Sequence, residues 1–230
     1  MILLEKSLNK LRRLGLARTL HLAAVRLANL VVHFKILRGV CAGQPDASFL
    51  RCPESYRAGF LFADRLRAFA ERPETEMSPE FVEHTIAKGD ECYAICDGDT
   101  LAAYGWYSTQ PTPTGTPGAL LHFSREYVYM YKGFTDTRYR GQRLHAIGMT
   151  RALEHYLARG HRGLVSYVES TNFDSLKSCF RMGYRQFGSV YVLRVFGRTL
   201  AWSSPGCAPF RFRVEASPAP RHASLTLGKT

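Results

Sequence analysis

Residues 127–148 read YVYMYKGFTDTRYRGQRLHAIG, and this stretch decides the fold. Tyr127–Thr135 alternates aromatic residues with smaller ones, which predicts a strand. The next residues form a turn, and a helix is predicted for Gln142–Arg159, ended by Gly160. A strand that leads through a turn into a long helix leaves the first N–H groups of that helix without partners. Such a junction is a typical binding site for an anion.

The residues of this turn fit a phosphate ligand. Gly141 allows the backbone to approach the ligand closely. Arg138, Arg140 and Arg143 add positive charge around the same point. A purely structural turn would explain the Arg-Gly pair equally well, so the junction alone does not establish the function.

The rest of the chain predicts a mixed sheet with helices on its faces. Residues 108–118 are rich in Thr, Pro and Gly and are expected to form a loop. The predicted strands are 31–36, 91–96, 101–107, 127–135, 164–168 and 190–196, and the predicted helices are 55–71, 79–88, 142–159 and 173–181. After Arg198 the composition turns to Ser, Pro and Ala, which predicts a tail over residues 199–230.

A second motif follows the short strand that ends at Glu169. Together with the turn Tyr139–Gly141, it resembles the GNAT (Gcn5-related N-acetyltransferase) family, in which a Tyr-Arg-Gly turn is followed, after one helix and one strand, by Asn-x-x-Ala/Ser and Gly-Phe/Tyr. The residues of the second motif that match are Asn172, Ser175, Gly183 and Tyr184. The resemblance is specific over residues 127–186 and extends over residues 31–198.

The resemblance implies an α/β fold in which a central mixed sheet carries helices on both faces. It implies an acyltransferase domain over residues 31–198 and an acyl-CoA, such as acetyl-CoA, as co-substrate, with no metal. By the same resemblance, the residues expected to bind the CoA moiety are Phe134, Thr135, Arg138, Arg140, Gly141, Gln142, Arg143, Leu144, His145, Asn172 and Ser175.

Three positions depart from the family pattern. Arg143 and His145 stand where the pyrophosphate loop of the family has Gly and Gly or Ala. These side chains either displace the pyrophosphate or, in the case of Arg143, bind it. Cys179 occupies the place of a Tyr that protonates the leaving thiolate in many members. A thiol with a pKa near 8.5 can do this, while a buried thiol on an apolar helix face is the alternative.

Acyl transfer to an amine needs a base that removes a proton from the acceptor. Glu169, at the end of a predicted strand beside the expected cleft, is the first candidate, and Glu126, at the start of the preceding strand, is the second. Either residue can equally be a surface charge. Tyr184 is a further candidate for the acid. Backbone N–H groups of the strand before the turn can polarise the thioester carbonyl.

The N-terminal segment is basic and amphipathic. The chain carries a formal net charge of +12, and residues 1–38 hold eight basic residues against Glu5 alone. Leucines recur at helical spacing over residues 2–29, which predicts a helical extension over residues 1–30. This helix is expected either to pack on its own domain or to lie on an anionic membrane. No stretch predicts a membrane span or a secretory leader, and the six cysteines are scattered, so a cytoplasmic protein, with membrane association as an option, is expected.

Three functions fit the sequence. The first is acyl transfer from acyl-CoA to an amine of a small molecule. The second is transfer from an acyl carrier protein at the membrane surface, because carrier proteins are acidic and the N-terminal segment is basic. The third is a non-catalytic acyl-CoA-binding or nucleic-acid-associated protein, although no nucleic-acid reader motif is present, so nucleic acid is not an expected partner. Members of the family often pair, so a homodimer is a further expectation.

Overall fold

The computed structural model describes residues 14–217. The five helices of this range are α1 Leu16–Ala28, α2 Ala63–Ala70, α3 Pro79–Lys88, α4 Leu144–Ala158 and α5 Phe173–Arg181. Its strands are β1 His33–Ala42, β2 Tyr56–Phe60, β3 Glu91–Asp97, β4 Thr100–Ser108, β5 Thr112–Pro113, β6 Ala119–His122, β7 Tyr127–Thr135, β8 Gly163–Glu169, β9 Arg185–Val195, β10 Arg198–Ser203 and β11 Arg213–Ala216.

Eight strands form the main sheet, in the order β10-β9-β1-β8-β7-β4-β3-β2. Its strand pairs are antiparallel except for β7 and β8, which are parallel. Strands β11, β6 and β5 form a separate small sheet. The predicted mixed α/β fold is therefore confirmed.

Strand β1 lies in the middle of the C-terminal half of the sheet. Leu37 pairs with Glu169 of β8 on one side and with Val190 of β9 on the other. Because β1 runs antiparallel to β8, its beginning lies at the end of β8. Helix α1, which precedes β1, is thereby brought to the same edge of the sheet as the turn after β7.

Apolar side chains are buried on both faces of the sheet. Helices α2 and α3 pack on β3 and β4, where Trp106 and Phe69 are almost completely buried. The small sheet covers β1, β8 and β9 on this same face, and Tyr131 contacts both layers. Helix α4 packs on the opposite face through residues such as Tyr156. Helices thus lie on both faces, as the resemblance implied.

The segment before α3 differs from the prediction. Residues 55–71 were expected to form one helix, but Tyr56–Phe60 is strand β2 at the sheet edge and only Ala63–Ala70 is helical. The aromatic residues of Tyr56–Phe60 suit an edge strand that is buried on one face, and the pairing with β3 decides the local structure. Likewise, β1 continues to Ala42, beyond the predicted strand.

The predicted C-terminal tail is wrong for residues 199–217. This segment forms β10, a 3-10 turn and β11, and its Cys207, Phe212 and Val214 are buried. Phe212 meets Phe187 of β9 edge to face, with ring centroids 5.1 Å apart. Composition suggested a tail because Ser, Pro and Ala are frequent here, yet the few apolar residues are spaced to cover β1 and β9. Residues 218–230 lie outside the described range.

Helix α1 confirms part of the predicted N-terminal helix, while residues 1–13 lie outside the described range. Its end is fixed to β1 by Asn29, whose Nδ2 donates to the carbonyls of Val25 and Phe34 and whose Oδ1 accepts from the N–H of Phe34. Of the helices described, none is long and apolar enough to cross a membrane.

Replacement of Phe212 by Ala tests the role of the C-terminal segment. Truncation of a buried aromatic side chain costs about 3–5 kcal/mol, so the free energy of unfolding in urea should fall by that order. The control is Phe196→Ala, because Phe196 is 100% exposed. Equal stability of the two variants would show that residues 199–217 do not belong to the cooperative core.

Candidate functional site

The parallel strands β7 and β8 pair over a short distance and then part. Their register runs from Tyr127 with Gly163 to Tyr129 with Val165, which is three residue pairs. Beyond it, the hydroxyl of Ser166 donates to the carbonyl of Met130 at 2.7 Å and takes the place of a backbone hydrogen bond. The remaining residues of the two strands flank a gap that opens toward the turn after β7.

A β-bulge in β7 lies where this gap begins. Trp106 of β4 pairs with Lys132, and the next residue, Tyr107, pairs with Met130, so Tyr131 has no counterpart in β4. Tyr131 and Lys132 therefore both point to the face that carries α2 and α3. The ammonium group of Lys132 is buried there and donates to the carbonyl of Glu76 at 2.6 Å. Bulges of this kind are common next to active sites because they redirect side chains and backbone groups.

The backbone of β7 exposes hydrogen-bonding groups to the gap. The N–H of Asp136 donates to the carbonyl of Ala102 in β4. Since the backbone groups of alternate residues point to opposite sides of a strand, those of Gly133 and Thr135 point toward β8. Pairing with β8 has already ended at this level. An internal sheet edge with unpaired backbone groups is suited to an extended ligand that carries amides.

The turn between β7 and α4 is held by its side chains. Asp136 is buried and accepts from the N–H and the guanidinium of Arg138, with Oδ2 2.7 Å from the guanidinium, which lowers the pKa of the carboxyl. Tyr139 donates to Asp97, and Gln142 accepts from the hydroxyl of Tyr56 at 2.6 Å. Arg138 and Gln142, two predicted ligands, are therefore engaged in shaping the turn.

Helix α4 begins two residues later than predicted, at Leu144. Arg143 precedes it with φ 61° and ψ 16°, a left-handed conformation that favours glycine. Gly141 is also left-handed, with φ 84°. Arg143 thus adopts a conformation that glycine favours, at the position where the family pattern has Gly. Arg140, Gly141 and Arg143 are exposed, next to the first N–H groups of α4, where the helix dipole favours an anion.

His145 is accommodated by a glycine of β7. Its ring is directed to the sheet and lies against Gly133, where a Cβ atom would overlap the ring. Burial lowers the pKa of His145. The side chain therefore leaves the turn open, and the buried Leu144 anchors the first turn of the helix in the same way.

The second motif caps helix α5. The side chain of Asn172 accepts from the N–H of Ser175 at 3.1 Å. Cys179, two turns later, packs on the core cluster that contains Met130, and burial raises the pKa of its thiol to about 11. Tyr184 is buried in the same cluster, and its hydroxyl has no hydrogen-bond partner within the described chain. Burial raises the pKa of Tyr184 as well.

Glu169, the last residue of β8, lines a cleft of about 550 Å³. Its Oε1 lies 2.6 Å from the ammonium nitrogen of Lys35 in β1. We call this space the α1 cleft, because α1 forms one wall through Leu22, Val25 and Arg26; the other walls are residues 34–36 and residues 169–174. The cleft thus places a carboxylate and Asn172 in one space at the C-terminal end of β8.

Glu126 is not brought to this region. It precedes β7, at the end of the strand away from the turn, and its exposed carboxylate lies 3.3 Å from the guanidinium of Arg162. The backbone carbonyl of Glu126 also accepts from the N–H of Arg162. These contacts describe a surface ion pair. Between residues 14 and 217, no group of three or more His, Cys, Asp and Glu side chains is arranged to hold a metal ion.

Stacked tyrosines line the α2–α3 face of the parted strands. Tyr129 stacks on Tyr131 and on Tyr167, with centroid distances of 5.8 and 6.2 Å. Tyr131 donates to the buried Asp90 at 2.8 Å, and Lys88 lies 3.1 Å from the same carboxylate oxygen. The alternation of tyrosines in β7 places them on one face of the strand. Asp90, Lys88 and Lys35 gave no comparable signal, because single charged residues at element ends are usually exposed.

Replacement of Arg143 by Gly tests the backbone strain at this turn. A non-glycine residue in the left-handed region costs about 1–2 kcal/mol, so Arg143→Gly should raise the free energy of unfolding by about 1 kcal/mol after the entropic cost of glycine. Arg140→Gly is the matched control, because Arg140 has φ −62° and ψ 148°. That variant should be less stable than the wild type, and a common sign of the two changes would contradict the strain.

No protein-family profile and no characterised protein matches the sequence. Solved structures of similar fold include the aminoglycoside acetyltransferase meta-AAC0020 from an uncultured soil metagenomic sample, with 11% identity, a TM-score of 0.44, and coverage of 57% of this chain and 90% of that one. A GCN5-related N-acetyltransferase from Sphaerobacter thermophilus has 14% identity and a TM-score of 0.47, over 74% of this chain and 54% of that one.

A putative acetyltransferase of the GNAT family from Novosphingobium aromaticivorans DSM 12444 has 15% identity and a TM-score of 0.43, over 80% of this chain and 66% of that one. These likenesses concern the arrangement of strands and helices and say nothing of a substrate. In its sequence motifs and in its fold, the chain resembles the GNAT acetyltransferases.

Proposed function

We propose that the protein transfers an acyl group from acyl-CoA to an amine of a small molecule, by direct attack of the amine. The observation that carries this proposal is the gap between β7 and β8, which lies beside the N-terminus of α4. One end offers backbone hydrogen bonds to an extended chain, and the other offers N–H groups and arginines to phosphates. CoA combines these two chemical features in one molecule.

The residues of the turn fit the phosphate part of this donor. Arg140 and Arg143 supply exposed cations, and Gly141 keeps the backbone accessible. The backbone groups of Gly133 and Thr135 would bind the amides of the pantetheine arm and can polarise a thioester carbonyl. Asn172 and Ser175 lie at the start of α5, which follows β8 in the chain. The donor supplies the activated acyl group; the chain holds and orients it.

Glu169 is the proposed base. Its carboxylate stands at the C-terminal end of β8, in the α1 cleft, and Lys35 holds it in place through a contact of 2.6 Å. A carboxylate there can accept the proton of the acceptor ammonium, directly or through water. Glu126, at the other end of β7, is a surface charge in this scheme.

Two residues were candidates for the acid, Cys179 and Tyr184. The raised pKa of Cys179, about 11, makes its thiol a weaker acid than an ordinary thiol. Burial raises the pKa of Tyr184 in the same way, so neither group is suited to full proton transfer. Tyr184 places an O–H without a partner among the described residues in the same cluster. We assign Tyr184 a hydrogen bond to the leaving sulfur and Cys179 a packing role.

The acceptor is proposed to bind in the α1 cleft. Arg26 and Lys35 line the cleft beside Glu169, and apolar side chains such as Leu22 and Phe34 form much of the rest. This mixture suits an amine that also carries an anionic group and an apolar part. A volume of about 550 Å³ accommodates a small molecule.

The donor site is tested by Arg140→Ala. Loss of a charge-assisted hydrogen bond to phosphate should weaken acyl-CoA binding about tenfold, measured as Kd by calorimetry with acetyl-CoA and longer acyl-CoAs. Arg162→Ala, at the opposite end of β7, is the control and should leave Kd unchanged. Wild-type protein should also gain about 2.7 kcal/mol of stability at 100 times the Kd of its donor.

Unchanged affinity in Arg140→Ala would remove this residue from the site. Absence of binding to every acyl-CoA, together with turnover of an acyl carrier protein thioester, would favour the carrier protein as donor. Binding without turnover of any amine would leave a non-catalytic acyl-CoA-binding protein.

The base is tested by Glu169→Gln. This change keeps the shape of the side chain and removes the proton acceptor, so kcat with a panel of amines should fall about 100-fold or more while donor affinity stays the same. Glu126→Gln is the matched control and should retain wild-type kcat. The release of the CoA thiol reports both rates. Equal rates for the two variants would exclude Glu169 as the base.

A further inference from the structure

Two neighbouring segments carry most of the exposed apolar side chains. Ten large hydrophobic residues of the described chain are exposed, and eight of them lie on α1 and the turn after it or on the β9–β10 hairpin. The eight are Leu16, Leu20, Leu27, Leu30, Val31, Phe196, Leu200 and Trp202. We call this set the α1–hairpin surface. Such a concentration is unusual, because exposed apolar residues are normally scattered singly.

Helix α1 carries apolar residues on two opposite sides. Its inner side, with Leu22 and Val25, faces the domain. On this side His21 also contacts Ser170 at 2.9 Å, and Arg18 lies over the ring of Phe173. Leu16, Leu20 and Leu27 are four and seven residues apart, so they share the opposite, outer side. Their exposed fractions are 65, 59 and 68%. The inner side accounts for the docking of the helix, and the outer leucines need another explanation.

The hairpin continues this surface. His33 pairs with Arg194, so the turn that carries Val31 and the hairpin turn that carries Phe196 lie at the same end of the β1–β9 pair. Val31 is 87% and Phe196 100% exposed. In β10, Leu200 and Trp202 pair with Leu193 and Tyr191, which alternate with the buried Val190 and Val192. Both side chains therefore face away from the small sheet.

The charge of the same segments is entirely positive. Residues 14–38 and 185–203 contain seven arginines and lysines, Arg18, Arg26, Lys35, Arg38, Arg185, Arg194 and Arg198, and no Asp or Glu. Arg194 and Arg198 stand on either side of Phe196, and Arg26 adjoins Leu27. Exposed leucines and aromatic residues flanked by basic side chains are the composition that binds at the interface of an anionic bilayer.

We propose that the α1–hairpin surface docks the protein on an anionic membrane. Two hydrogen bonds join Asn29 at the end of α1 to Phe34 of β1, and β1 pairs with β9, so helix and hairpin are connected through β1. Inner residues of α1 also line the α1 cleft, which places this cleft next to the lipid when the outer leucines are inserted. Membrane docking is inferred from the exposure and charge of this surface and does not depend on the proposed acyl transfer.

The test is sedimentation of the full-length protein with vesicles. With roughly 30% phosphatidylglycerol in phosphatidylcholine, the wild type should bind at least about tenfold more tightly than with phosphatidylcholine alone, and 0.5 M NaCl should remove most of this difference. Leu27→Glu/Phe196→Glu should lower the affinity about tenfold or more. Phe62→Glu is the matched control, because Phe62 is 83% exposed away from this surface, and it should bind like the wild type.

Arg26→Glu/Arg198→Glu tests the charge independently of the apolar side chains and serves if the first double variant fails to fold. Its control is Arg51→Glu/Arg57→Glu, which makes the same change in net charge on other exposed residues. Binding that is equal with neutral and anionic vesicles, or equally weakened by the control variants, would overturn the proposal. So would a wild-type dimer that Leu27→Glu/Phe196→Glu converts to a monomer without any vesicle binding, because the surface would then be a contact between two copies.

Discussion

The parting of β7 from β8 after three residue pairs is the constraint on which the rest of the site depends. A strand that loses its neighbour on one side must be held on the other. Strand β1 does this, because it pairs with β8 from Ala42 to Leu37, opposite Glu169, the last residue of β8. On the far side of the gap, β4 holds β7 in the same way. The gap therefore has two rigid edges, and its backbone groups are kept in place for a ligand.

The unusual residues of the turn are compatible with this geometry. Arg143 adopts the left-handed conformation that a glycine would adopt, at an energetic cost, and keeps a cation at the helix N-terminus. His145 turns inward and fills the space above Gly133. Arg143 therefore adds charge to the turn, while His145 leaves the turn open. A large residue in place of a small one at this turn can thus be accommodated by its backbone conformation or by a neighbouring glycine.

The sequence predicted the elements whose signals are local. The strand-turn-helix unit at residues 127–159 and the helix at residues 173–181 follow from hydrophobic periodicity and Gly, and both are found. Strand β2 and the segment after Arg198 were misread, because their structure depends on pairing with β3 and on covering β9. The contact of Lys35 with Glu169 joins residues 134 positions apart, and a local sequence pattern does not predict such a partner.

The central position of β1 also sets an order of events during folding. Among the described strands β1 is synthesised first, yet both of its neighbours, β8 and β9, are made after β2 to β7. Until residues 163–195 are available, β1 has two unpaired edges and an apolar composition, a state that is prone to wrong association. The pairing of β1 with β8 and β9 joins residues that are far apart in the sequence, and such distant contacts slow folding. The pairing of β1 is therefore a late event in folding, because it requires both β8 and β9.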